Sequence, residues 1–468
     1  MTRRRFVRLI SFAAAAAVLF AFGVAASVFP QTHPRGLIGI TVDGLISTAE
    51  NNDWTEADCD KIGRPSECDG LISDLASERR AFLLRVVESN ETAKSPVEHR
   101  EVVSRSALGF SVSTFQVPGS YSYYLWGEKP TNYVATEGAY LYAVAGDGAI
   151  FHTPIAGLGQ SESVEWTSLP HDLLNFLDLE LSNPGFFSVK GVKIHEGEIF
   201  IAASSDAGED SPCWHTAVYV ANIKSDPLSF KPLFEPNDCA DPDLGELVAH
   251  QAGGAFEILP DGRLAFGSGE YRQRGKAQEA GSEMGGLIAL DKNGSPEILA
   301  KGLRNPQASL IDTDGETLWF VDQGPAGGDE LNRLDLTTQP PANFGWPISS
   351  YGNHYGGREV QGAPLHDSHS DYGFEEPVWH WTPSIAPSSI SASPSNWPGE
   401  IAIGSLGHNS TISGTQAIHL FSWDAEAESV ALHDVIRLNE RVRSIAPLGD
   451  DRLVASVDSG NLAVITLK

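Results

Sequence analysis

From about Tyr121 to the C-terminus the chain is a succession of short runs in which apolar and polar residues alternate, each run stopped by Gly, Asp, Asn or Pro. A period of two marks a strand with one buried face, and the stops are turn residues. One phrase recurs: GAYLYAVAG at Gly138, IHEGEIFIAAS around Gly197, ILPDGRLAFGSG around Gly262, IDTDGETLWFVDQG around Gly315, NWPGEIAIGSLG around Gly399 and APLGDDRLVASVD around Gly449. Each reads as a hairpin, with a Gly- or Asp-rich turn followed by a strand of alternating apolar residues. The glycines are 59, 65, 53, 84 and 50 residues apart. Such a spacing predicts four-stranded blades, and therefore an all-β, six-bladed β-propeller over residues 119–468, with one blade stretched by an insertion. A β-sandwich would show no six-fold recurrence.

Ahead of that region, GLISDLASERRAFLLRVVE, from Gly70 to Glu88, spaces Leu71, Leu75, Phe82 and Val86 as one face of a helix. It makes residues 30–118 a small α-containing N-terminal extension. Residues 1–29 contain TRRRFVRLISFAAAAAVLFAFGVAAS from Thr2, with four arginines and no acid before an apolar run, the layout of an export signal of twin-arginine type. Val24-Ala25-Ala26 offers a cleavage site; the run is also close to the ~20 residues that an uncleaved membrane anchor needs. Either way the expected location is periplasmic or secreted.

Charge narrows the partners. With 32 Lys and Arg against 61 Asp and Glu, the formal charge of −29 repels nucleic-acid phosphates and anionic lipid surfaces. The four cysteines fall into two pairs close in sequence, Cys59 with Cys68 and Cys213 with Cys239, which suits disulfides in an oxidising compartment.

Candidate chemistry starts with HQAGGAFEILPDGRLAFGSGE, residues 250–270. His250 precedes the first strand of a hairpin and Glu270 follows the second, so both fall at the same end of one blade. There a carboxylate can orient an imidazole that accepts a proton. GLRNPQ at 302–307, LWFVDQGPAGGDELNRL at 318–334, NFGWPISSYG at 343–352, WTPSIAPSSIS at 381–391 and RVRSIAPLGDDRL at 441–453 follow in order. In these motifs the chain resembles the soluble quinoprotein glucose/sorbosone dehydrogenases, which bind pyrroloquinoline quinone (PQQ) on a six-bladed propeller.

The resemblance implies a sugar dehydrogenase with PQQ and calcium as cofactors, a small sugar as substrate and a separate, unidentified electron acceptor. It makes His250 the base that takes the proton of the anomeric hydroxyl and Glu270 its orienting acid, where the family has aspartate. Arg304, Asn305 and Gln323 become cofactor contacts, with Arg304 stabilising charge on the reduced quinone. Gly324 and Pro325 are implied as backbone donors to one calcium, and Asp329 and Glu330 as donors to a second. Arg441 and Arg443, alternate residues of a predicted strand, would grip the cofactor's carboxylates.

Trp381 and Trp379 offer rings for stacking on a sugar or for packing between blades. His354, His366, His369 and His380 lie in the stretched interval, where a loop spacing does not fix metal geometry. One departure stands out: after Gly404-Ser405-Leu406 the family has a lysine, and this chain has Gly407 and His408. Two rival readings are a calcium-dependent propeller hydrolase of lactonase type, using Asp329 and Glu330, and a propeller that binds without catalysis.

Overall fold

The structure, a computed structural model, describes residues 80–119, 131–177, 188–206, 213–240, 251–357, 359–407 and 413–468. All belong to the unit from Ser77 to Lys468. The expected export signal, Leu71, Leu75, the Cys59–Cys68 pair, His250 and His408 lie outside the described residues.

Six antiparallel sheets form the six expected blades. Their innermost strands are Asn132–Glu137, Val189–His195, Gly253–Ile258, Pro306–Ile311, Pro387–Ala392 and Val442–Pro447, in blades 1 to 6 respectively. Each packs against the next, and that of blade 6 returns to that of blade 1, so the ring closes. The six recurrent glycines share one structural position, the turn between the first and second strands of successive blades. Their φ angles run from 58° to 85°, a region that glycine enters without steric cost, which is why the phrase is visible in the sequence.

Because that turn is at one end of every blade, the starts of the first strands and the finishes of the second strands are all at the other end. That end carries the candidate site.

The 84-residue interval is accounted for within blade 4, whose third strand ends at Asp335 and whose fourth, Trp379–Trp381, comes only after a long insertion. Part of the insertion, Ala342–Asn343, adds a parallel fifth strand to blade 3.

The structure moves the start of the propeller ahead of the expected boundary at residue 119. Gly109–Gln116 pairs antiparallel with the last strand of the chain, from Asn461↔Gln116 to Leu467↔Phe110, and Glu98–Val103 adds outside it. Blade 6 is thus built from both ends of the propeller. Thr92–Pro96 edges blade 1 by pairing with Ser163–Ser168. Only residues 80–88 are seen as helix, with Leu83, Val86 and Val87 buried in a cluster that includes Leu141, Phe151 and Trp166.

Between blades the core is apolar and close-packed. Blades 4 and 5, for example, share Trp319, Val321, Leu331, Ile390, Ile403 and Phe421. Fully burying such side chains is worth about 1.5–3 kcal/mol each, enough to hold loops rigidly at the blade ends.

Candidate functional site at one end of the channel

Blade 3 explains the double glycine. Gly253 pairs with Ser268 at the site end of the first hairpin. A Cβ on Gly254, whose φ is +125°, would be 2.2 Å from the carbonyl oxygen of Lys190 in blade 2. Gly254 therefore lets neighbouring inner strands meet backbone to backbone, while a Cβ on Gly253 would be 2.3 Å from the Gly267 carbonyl oxygen of its own blade.

Glu270, just past the hairpin, donates its N–H to the Arg304 carbonyl at 3.1 Å, and Tyr271 donates to the Gln251 carbonyl at 3.0 Å. Tyr271 and Arg272 both have positive φ, 48° and 62°, a strained pair that places the acid. The Tyr271 hydroxyl shares a 2.6 Å hydrogen bond with Thr216, anchoring the turn from below. Glu270 is wholly buried, and no side-chain hydrogen-bond donor among the described residues meets either carboxylate oxygen; the backbone N–H of Arg272 is the donor beside it. Burial pushes its pKa up to about 7, against the pull of Arg304 and Arg274.

Blade 4 contributes a linked set. The buried Asp322 carboxylate accepts the N–H of Arg304 at 2.9 Å and that of Asn305 at 2.6 Å. Asp322 was missed in the sequence, where the motif FVDQG drew attention to Gln323 and Gly324; a carboxylate at the end of an inner hairpin was the available signal. Its pKa is raised to about 7 by burial and by Glu330.

Arg304 donates from Nη1 to the Gln323 carbonyl at 2.8 Å and lies over the Trp346 ring, 5.5 Å from its centre. Asn305 accepts the Gly253 N–H at 3.0 Å and donates to Gln323 Oε1 at 2.9 Å, while Gln323 Nε2 donates to the Pro387 carbonyl at 2.8 Å. Arg304, Asn305 and Gln323 are thus brought together, in a chain of bonds from blade 3 to blade 5.

On blade 6, Arg441 and Arg443 point the same way and meet Asp458. Arg441 Nε donates to Asp458 Oδ2 at 2.7 Å, and Arg443 donates to both Asp458 oxygens at 3.0 and 2.9 Å. Burial alone would raise the Asp458 pKa, but the two guanidinium groups pull it down to about 2. Arg441 Nη1 also reaches the Gly407 carbonyl at 3.3 Å.

Two expected site residues have other partners in the fold. Asp329 and Glu330, as consecutive strand residues, face opposite sides. Asp329 accepts the N–H groups of Gly324, Ile385 and Ala386 at 3.0, 2.8 and 2.7 Å, so it ties two loops together. Glu330 turns instead to Asn332 Nδ2 at 3.0 Å and His369 at 3.3 Å. Trp381, expected as a possible sugar platform, is only 8% exposed and packs among Leu331, Ile385 and Phe421; it is core.

Among the described residues no group of three or more His, Cys, Asp or Glu side chains is placed to hold a metal. The Pro325 carbonyl, one of the two expected backbone donors, accepts the Ser384 hydroxyl at 3.0 Å. The insertion's histidines are stacked or bonded individually: His366 on Tyr372, His380 on Tyr351, and His369 to Ser349 at 3.1 Å. The Cys213–Cys239 disulfide is present.

Residues 239–465 match the Glucose / Sorbosone dehydrogenase family model. Aldose sugar dehydrogenase YliI of Escherichia coli (strain K12) is 30% identical over 172 residues, 33% of this chain and 44% of that protein. The chain spans less than half the length of the curated relatives it matches.

Among solved structures, a glucose dehydrogenase superposes with a TM-score of 0.57 at 21% identity, covering 73% of this chain and 99% of the other. The PQQ-bound aldose sugar dehydrogenase of Streptomyces coelicolor gives 0.51 at 16% identity, covering 81% and 100%. At such identities the structural likeness speaks for the fold.

Proposed function

On the match of residues 239–465 to the glucose/sorbosone dehydrogenase family, we propose that this propeller oxidises an aldose or related sugar at its reducing carbon, with PQQ seated at the channel end just described. The observation that carries the reading is a set of cationic side chains at one end of the channel, Arg304 beside the inner strand of blade 4 and Arg441 and Arg443 on blade 6, with the bonded amides of Asn305 and Gln323 next to Arg304. Such a set fits a flat tricarboxylate. When bound, the quinone would supply the acceptor for the hydride that leaves the sugar's reducing carbon.

The protein's part is position and field. Arg441 and Arg443, their guanidinium groups held by Asp458, bind carboxylate. Asp322 fixes the backbone of Arg304 and Asn305, and Gln323 and Trp346 hold the Arg304 head, so positive charge is in place before negative charge develops. His250 takes the proton of the anomeric hydroxyl. Glu270 orients the imidazole, as a carboxylate once pH exceeds about 7. Electrons then pass to a separate acceptor, and the disulfide suits an oxidising, periplasmic or secreted setting.

Calcium is retained only for the carbonyls of Gly324 and Pro325, and no step depends on it. The lactonase alternative is weakened because Asp329 already accepts three backbone N–H groups.

The test is a titration of the purified protein with PQQ followed by dye reduction with a panel of aldoses. Saturable binding and sugar-dependent reduction are expected. Absence of PQQ binding in the presence of calcium overturns the reading.

A further inference from the structure

We propose that Thr216, on blade 2, and Tyr271 are positioning residues for the acid and base of blade 3, joined through one buried pair of hydroxyls; the inference deepens the function proposed above and rests on it. Thr216 is the third residue of Trp214–Asn222, the third strand of blade 2, and pairs with Ser204 on the second. Third strands start at the end where second strands finish, so Thr216 belongs to the site end of its blade. Its Oγ1 donates to the Ala252 carbonyl at 2.7 Å and is 2.6 Å from the Tyr271 hydroxyl. A threonine hydroxyl has one proton, and the Ala252 carbonyl takes it, so the phenol donates the second bond. Burial pushes the Tyr271 pKa up to about 12, which keeps that proton on the phenol.

The two partners of Thr216 flank the proposed chemistry. Ala252 is two residues after His250 in the sequence, and Tyr271 directly follows Glu270. The same two segments also meet each other: the Tyr271 N–H donates to the Gln251 carbonyl at 3.0 Å, and a Cβ on Gly269 would be 1.9 Å from that oxygen. No side chain fits between them, so the segment that follows His250 and the turn that carries Glu270 are held as one piece.

That piece is fastened from both sides. The Arg304 carbonyl, in the loop that leads into blade 4, accepts the Glu270 N–H at 3.1 Å, and Thr216 holds the phenol from blade 2. The positive φ angles of Tyr271 and Arg272 persist only while such contacts over-determine them. Thr216, Ala252 and Tyr271 are almost wholly buried, the last two beside Trp214 and Met284, so water does not replace a bond lost there. Removing the hydroxyl pair lets the turn relax and Glu270 shift, and a misplacement of about 1 Å between reacting groups costs on the order of 100-fold in rate. The cationic side chains of blades 4 and 6 keep their own partners, so the loss is confined to kcat.

The experiment compares Thr216→Val, Thr216→Ser and Tyr271→Phe with the wild type in three readouts: kcat and KM for an aldose, the PQQ dissociation constant from cofactor absorbance, and the pKa of the His250 ring in the apo-protein, followed by NMR and assigned with His250→Gln. Thr216→Val, which keeps the shape and removes the hydroxyl, is expected to lower kcat about 10- to 100-fold, with KM and PQQ affinity within about threefold of the wild type. Its His250 ring pKa is expected to fall by about 0.5 or more, because a displaced carboxylate no longer favours the imidazolium. Thr216→Ser restores most of both, and Tyr271→Phe lowers kcat in the same sense. Wild-type kcat and ring pKa in Thr216→Val, or in Tyr271→Phe should the valine variant not fold, overturn the inference; so does a loss of kcat matched by an equal loss of PQQ affinity. Those results leave the PQQ reading standing. If the wild type binds no PQQ, that reading falls, and the ring titration of the apo-proteins alone decides whether Thr216 positions the pair.

Discussion

Glu270 is a wholly buried acid with no side-chain donor to either oxygen among the described residues, which makes its protonation state a property of the folded protein. Its folded pKa, about 7, is above the ordinary 4.5, so between those values the native state holds a proton that the unfolded chain has released. Stability from this group is therefore complete below about 4.5 and declines as pH rises towards 7 and beyond. Glu270→Gln, which mimics the protonated form, should raise the apo-protein's stability at pH 8 by up to roughly 3 kcal/mol and leave it nearly unchanged at pH 4. Thermal melts at the two pH values check this, and an equal effect at both would mean that the acid is not ionising in the fold.

Asp322 has a different role, since its oxygens satisfy the N–H groups of Arg304 and Asn305. Asp322→Ala leaves two buried donors unpaired; we expect a loss of about 2–3 kcal/mol in urea unfolding and at least a tenfold weaker PQQ titration. Unchanged PQQ affinity would show that the loop keeps its form without the carboxylate.

Among the elements, the inner hairpin of blade 3 is the most demanding. Gly254→Ala would drive a methyl group into the Lys190 carbonyl from a backbone angle that alanine avoids, so a destabilisation of more than about 2 kcal/mol is expected, with blades 2 and 3 pushed apart. Calorimetry settles it; a normal melting temperature would mean the inner strands are not in contact. The Cys213–Cys239 disulfide, with a sequence separation of 26 residues, closes a loop that begins at the third strand of blade 2 and so stabilises the fold. Element pattern was legible where it was local. Six turns with the same glycine announced six blades, whereas Gly109–Gln116, which finds its partner some 350 residues away, has no turn signal linking it to blade 6.

At the scale of the whole molecule, ring closure is the property on which the rest depends. A chain begun at residue 119 would lack two strands of blade 6 and the edge strand of blade 1, exposing long unpaired edges. Such a truncation should be insoluble or melt without cooperativity, whereas a chain begun near residue 77 should fold; cooperative melting of the shorter form would show that closure is dispensable.

The sequence by itself determined the blade count and one disulfide, because turn periodicity and short spacings are carried by near neighbours, while Arg304, Asn305, Gln323, Arg441 and Arg443 became candidates through the resemblance to a known family. Only the tertiary structure decided that Asp329 and Glu330 diverge, that Trp381 is buried in the core, and that Asp322 holds the loop of Arg304 and Asn305. Those outcomes depend on burial and on contacts between different strands and loops, and alternation along one strand carries no record of what stands across from it.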